Sequence, residues 1–171
     1  MNRKAVQILA LVLLSASILR SQTRPRESLR GLSGVFVYVH PVAKEVEAGG
    51  LSTTQIQKIV QGKLTDAGIP IQSEPQSTNG SATLVVIIDT VKNSPGAYLF
   101  EVDLSVLQEV HLARRQDPES FPSQTWGAKA IGLTGANRMD LMIEPLKARL
   151  ADFVSDYLAV NAKAGLSKGG N

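Results

Sequence analysis

Cysteine is absent from this chain, which excludes disulfides, thiolate metal sites, a thiol nucleophile and the acylated cysteine of a bacterial lipoprotein. Histidine is nearly absent: His40 and His111 are the only imidazoles. Aromatic residues make up 5% of the chain, with a single tryptophan, Trp126. There is no phosphate-binding glycine loop and no dinucleotide fingerprint. Gly31-Leu32-Ser33-Gly34 has neither the spacing nor the following helix of a nucleophile elbow. No apolar run reaches the ~20 residues a spanning helix needs. The longest, Ala5 to Leu19, is shorter and is interrupted by Gln7. No internal repeat is visible.

What is present begins with a signal. Asn2-Arg3-Lys4 is a basic start, Ala5 to Leu19 is an apolar stretch, and Ser15, Ala16, Ser17 and Ser21 supply small residues near a cut. This is the pattern of a secretory signal peptide over residues 1–21, the alternative being an uncleaved anchor. Cleavage near Ser21 removes Arg3, Lys4 and Arg20, three of the 18 basic residues, and leaves all 15 acidic ones. The exported chain is then close to neutral. A basic surface for nucleic acid or anionic lipid is not expected, nor is a stable membrane span after cleavage. Localisation is expected to be periplasmic or secreted. Arg24, Arg26 and Arg30 read as part of a solvated polar leader over residues 22–33.

The rest of the 171 residues suits a single domain, expected over 34–161, followed by a flexible tail at 162–171. Gly34 to His40 is β-branched and aromatic and reads as a buried strand, stopped by Pro41. The segment to Gly49-Gly50 reads as a loop. Ser52 then caps a helix, with Gln55 three residues on and Leu51 and Ile56 placed as a hydrophobic staple. Ile56, Ile59, Val60, Leu64 and Ala67 form its apolar stripe, and Gly68 followed by Pro70 ends it. Ile69-Pro70-Ile71 can make only a short edge strand. Glu74 to Ser81 is a polar loop, and Asn79-Gly80-Ser81 within it matches a glycosylation sequon that a bacterial chain would use simply as a turn.

Thr83 to Lys92 is apolar on both alternating faces, as in a central strand. Pro95-Gly96 forms the middle of a type II turn. Tyr98 to Leu112 returns antiparallel and alternates over about 50 Å, long enough to require a bulge, expected at Gln108. Arg115 to Gln124 reads as a polar loop and Thr125 to Leu133 as another strand. Ile143, Leu146, Leu150, Phe153, Val154, Tyr157 and Leu158 stripe a last helix, with Pro145 in its first turn or at a kink after a lead-in from Arg138. The order is β-α-β-β-β-β-α. The fold class is α+β: a largely antiparallel sheet with two helices packed on one face.

Chemistry is sparse. His40, His111 and Glu109 do not have the tight spacing of a metal motif, so no metal site is expected and no cofactor is implied. Glu101 and Asp103 share a strand face and could interact as acid and base, yet alternation alone produces that spacing. Asp89 is read as lying at the wet end of its strand. No residue earns a catalytic role. Interface candidates are Arg114, Arg115, Phe121 and Trp126 in one hairpin region, set against the favoured reading of Trp126 as core and the arginines as solvent-facing. Leu99 and Leu107 join them, because with Val85 and Ile87 they form a second apolar face that one-sided helices leave uncovered.

The export signal and strand–helix order over Gly34–Asn161 resemble the amino-terminal domain of TolB-like proteins and the curli-secretion lipoprotein family. The missing cysteine departs from the lipoprotein pattern. The resemblance implies a non-catalytic part in envelope assembly or protein interaction, with a protein partner or self-association. Two other readings stay open: a periplasmic carrier of a small apolar or lipid-like ligand held between sheet and helices, and a hydrolase with an unrecognised site.

Overall fold

The computed structural model describes residues 26–75, 80–114 and 119–161. The signal peptide, Arg24, Asn79, Arg115 and the tail lie outside them. The elements run β1 (Val35–Val39), α1 (Lys44–Ala48), α2 (Thr53–Asp66), β2 (Ile71–Gln72), β3 (Thr83–Ser94), β4 (Ala97–Val110), β5 (Phe121–Gly135), a 3₁₀ turn (Met139–Met142) and α3 (Ile143–Asn161). The fold is α+β, and its one sheet has the order β2-β1-β3-β4-β5. β1 is parallel to β2 and β3, while β3-β4 and β4-β5 are antiparallel.

Local signals act where expected. Ser52 Oγ accepts from the Gln55 N–H at 3.2 Å, and Leu51 and Ile56 are both fully buried, so cap and staple fix the start of α2. At its end Gly68 takes φ +70°, the Gly68 N–H donates to Thr65 C=O and the Ile69 N–H to Leu64 C=O. That is a Schellman ending, closed by contact of the two buried side chains Ile69 and Leu64. Pro95 and Gly96 turn the β3–β4 hairpin, with Gly96 at φ +78° as a type II turn requires. Pro145 stands in the first turn of α3, after the 3₁₀ lead-in.

Both longer helices cover the same face of the sheet. Ile56, Val60 and Leu64 of α2 and Leu146, Leu150, Phe153 and Tyr157 of α3 meet Leu84, Val86, Ile88, Val102, Leu104 and Val106. Trp126 of β5 packs edge-on against Phe153, with centroids 5.3 Å apart. The small residues Ala128 and Ala130 let α3 approach β5, as their sequence positions suggest. At Gly132 the Phe100 ring lies over the strand, and a Cβ there would meet Phe100 Cζ at 2.6 Å.

Five details differ from the sequence expectations. The supposed loop before Gly49 contains α1, because burying Val46 completely rewards a helical turn there. The bulge falls on β5 rather than at Gln108 of β4: Thr125 is the extra residue between the pairs Val106–Trp126 and Leu107–Gln124. Gln108 stabilises it from across the ladder, donating to Thr125 Oγ1 at 2.6 Å and to Ser28 C=O at 2.9 Å. The loop before β5 is shorter than expected, since Phe121 to Gln124 already pair with β4. Leu158 is exposed, and Val160 takes the next buried position of the stripe.

The fifth difference concerns the polar leader, whose described part is docked on the domain rather than solvated. Leu29 is fully buried and Leu32 nearly so. Arg26 pairs with Asp156 at 2.7 Å, and Tyr157 Oη donates to Leu32 C=O at 2.8 Å. Asn161 accepts from the Gly31 N–H and donates to Leu29 C=O, while Arg30 donates to Val160 C=O near the end of α3. A terminal segment with one well-placed leucine and several donors can close a helix end, and composition alone does not reveal it.

Candidate functional site

With the helices on one face, the other face of the sheet is left to Phe36 and Tyr38 of β1, the odd-numbered residues of β3 and β4, and those from Gly127 to Leu133 on β5. Cross-strand register arranges them in rungs. Val91, Leu99 and Leu133 form one rung, with Asp89, Glu101 and Ile131 next to it and Ile87, Asp103 and Lys129 after that. The first rung is apolar and wet: Val91 is 65% exposed, Leu99 43% and Leu133 65%, and Ile131 beside it is 67% exposed. Tyr38, further along, is also exposed. Single exposed apolar residues are ordinary, but four on adjacent rungs of three neighbouring strands form a patch.

The acidic side of β4 is held by a cation. Lys129 Nζ lies 2.6 Å from Glu101 Oε1 and 2.8 Å from Asp103 Oδ2. Hydrogen bonding to Asp103 and then to Glu101 raises the Lys129 ammonium above its ordinary range. One ammonium thus bridges the two carboxylates that share this strand face. Asp103 Oδ1 is buried with no hydrogen-bond partner. Asp89 is exposed, as read from the sequence, and enters no ion pair among the described residues.

Two clefts open on this face. One of about 350 Å³ lies between Tyr38, Val85, Leu107 and Glu109, with Pro75 and Pro122 at its margin. The other, of about 210 Å³, is lined by Asp89, Val91, Leu99, Phe100, Glu101 and Ile131.

The sequence-derived candidates separate here. Leu99 and Leu107 both lie on the open face, but eight residues apart on one strand, about 26 Å; Leu99 joins the exposed rung and Leu107 the larger cleft. Trp126 is not an interface anchor: it is 3% exposed, and its Nε1–H donates to Asp156 Oδ2 at 3.0 Å. It stands on the helix-covered side of β5, where its indole fills the space against Phe153. Phe121 is half-buried at the start of β5 opposite Val110, and Arg114 is exposed in the turn after β4. Arg115 lies outside the described residues. Trp126 therefore does not share a surface with Arg114 and Phe121.

His40 and His111 do not converge either. His40 continues β1 beyond the Val39–Val86–Leu104 level, whereas His111 follows the opposite end of β4. Eight rungs separate them, about 26 Å. No group of three metal-ligating side chains occurs among the described residues, and none of their helices is long and apolar enough to cross a membrane.

Residues that sequence reasoning passed over are Val91, Ile131 and Leu133, together with Lys129. Their parity was readable: in Gly127 to Leu133 the odd positions oppose the Trp126 face. Knowing that they adjoin Leu99 required the register.

No protein-family model matches the chain, and no curated protein matches it. Among solved structures it is similar to a crystal structure of a minor lipoprotein from Acinetobacter baumannii. The two are 9% identical, with a TM-score of 0.32, over 83% of this chain and 99% of that one.

Proposed function

We propose that this chain is an exported, non-catalytic protein-interaction module of a bacterial envelope, binding its partner through the open face of the sheet. The observation that carries the reading is the apolar rung Val91–Leu99–Leu133 with Ile131, standing in water on a sheet whose other face is fully packed. Burying apolar surface of this kind contributes roughly 25 cal/mol per Å², so four such side chains favour association over exposure. The basic and apolar amino terminus supports export. Catalysis receives no comparable support, since the carboxylates are bridged by Lys129 and the histidines lie far apart. The carrier reading needs a chamber between sheet and helices, and that space holds Leu84, Leu104, Leu146, Leu150 and Phe153, all fully buried.

The test is a photo-crosslinking amino acid placed at Leu99 and at Leu133 in intact cells, with fractionation of the envelope and Leu158 as control. Both are exposed, so substitution leaves the fold intact. A discrete protein adduct from both face positions, absent from the helix position, is the expected result. Recovery from the cytoplasm alone, or no adduct from either face position, overturns the proposal.

A further inference from the structure

We infer that the occupant of the open face is a cationic amphipathic segment of a protein partner, its basic side chain entering the cleft between Asp89 and Glu101. This rests on reading the face as a docking surface and names what docks there. Asp89 stands directly opposite Glu101 across the β3–β4 ladder, and like charges so placed repel. Among the described residues the one ammonium on the face, Lys129, is already shared by Glu101 and Asp103. Asp89, Glu101, Asp103 and Glu109 thus set four carboxylates against one cation on the face that carries the apolar rung. A second copy laid face to face would bring like charge against like, and an anionic lipid surface would be repelled.

The cleft has the shape of a basic side chain's surroundings. Val91, Leu99 and Ile131 offer apolar wall for an aliphatic stem, and Asp89 and Glu101 stand where its charged head arrives. β4 is paired along both sides, whereas β3 meets β1 only from Thr83 to Val86, so the face around Leu99 and Glu101 presents side chains only. An added strand would have to pair along an outer edge, at β5, at β2 or on the part of β3 beyond Val86. Asp89 and Val91 are two residues apart on one face, about 6.6 Å, which matches roughly one helical turn of about 5.4 Å. A lysine or arginine one turn from an apolar pair therefore meets both rungs together.

Two synthetic 18-residue peptides test this against the full chain. They share one leucine–valine stripe and carry either Lys or Glu one turn from its centre. Fluorescence anisotropy at low and high salt reads the binding, and circular dichroism checks each variant's fold. The lysine peptide is expected to bind roughly tenfold tighter than the glutamate peptide at low salt, with the gap closing at high salt. Asp89→Asn with Glu101→Gln should abolish most of that preference, and Ile131→Ser with Leu133→Ser should abolish binding. Equal binding of both peptides, lost on Ile131→Ser with Leu133→Ser, overturns the cationic inference and leaves the docking surface standing. A dimer in sedimentation that Leu133→Ser dissolves overturns it in favour of a second copy. Tighter binding to phosphatidylglycerol vesicles than to the lysine peptide overturns it in favour of a membrane. Binding of neither peptide overturns it as well, and the proposed function falls only if the Leu99 and Leu133 crosslinks also capture nothing.

Discussion

Replacing Asp156 by alanine should cost the fold about 2 kcal/mol, although the residue is neither apolar nor fully buried. Its carboxylate joins three elements, accepting from Trp126 Nε1–H at 3.0 Å on β5 and from Arg26 Nε at 2.7 Å on the amino-terminal turn, while itself on α3. Trp126 is 3% exposed, and Asp156 is the partner its N–H has in this largely dry position. A buried donor left unpaired costs roughly 1–3 kcal/mol. The Arg26 pair adds little, because the arginine side chain is 39% exposed and such pairs contribute about 0.2–1 kcal/mol. Alanine returns roughly 0.5 kcal/mol of helix propensity. The net is about 2 kcal/mol, a fall in Tm of roughly 6–10 °C for a domain of this size. Urea unfolding with a double-mutant cycle isolates the cause. Trp126→Phe removes the donor and some packing, so in its background Asp156→Ala should cost at least 1 kcal/mol less than in the parent, beyond the ~0.5 kcal/mol within which independent sites add. Equal costs in the two backgrounds would refute the view that Asp156 acts by satisfying the indole.

Three further outcomes can be checked by the same unfolding measurements. Gly132→Ala puts a methyl against the Phe100 ring and should destabilise by roughly 1–3 kcal/mol, an effect relieved in part when Phe100 is also replaced by leucine. Gly68→Ala forces a side chain into φ +70° at the end of α2 and should cost about 1–2 kcal/mol, whereas Gly62→Ala, in the middle of the same helix with open space around it, should stabilise slightly. Burial raises the Tyr157 phenol above its ordinary value. Its contribution is therefore complete below about pH 10, the unfolded value, and is lost as pH climbs through the folded one. The stability advantage of the parent over Tyr157→Phe should accordingly shrink above pH 10 while staying constant between pH 6 and 8.

How far the sequence reached differs from element to element. The ends of α2 were readable because Ser52, Gln55, Gly68 and Ile69 act within a few residues of one another, and no distant group competes for their hydrogen bonds. The β3–β4 hairpin was readable for the same reason. The strand alternation also foretold an uncovered face, since helices on one side leave the odd-numbered side chains of β4 to water. Trp126 could not be assigned in this way. A lone indole beside glycine leaves an interface open even where the core is favoured, and what settled it is Asp156 and Phe153, some 30 residues later on a helix.

Local periodicity and capping thus determined the elements, their order and the two-layer packing, because these follow from which side chains can share a face and which ends can be satisfied nearby. Tertiary structure alone decided which apolar residues became neighbours. Val91, Leu99 and Leu133 come from three strands, and only the pairing register sets them in one rung beside Ile131. It likewise brought Lys129 to Glu101 and Asp103 and left Asp89 without that cation. Register is a sum of many long-range contacts, and a one-residue slip would have turned every one of these side chains to the other face.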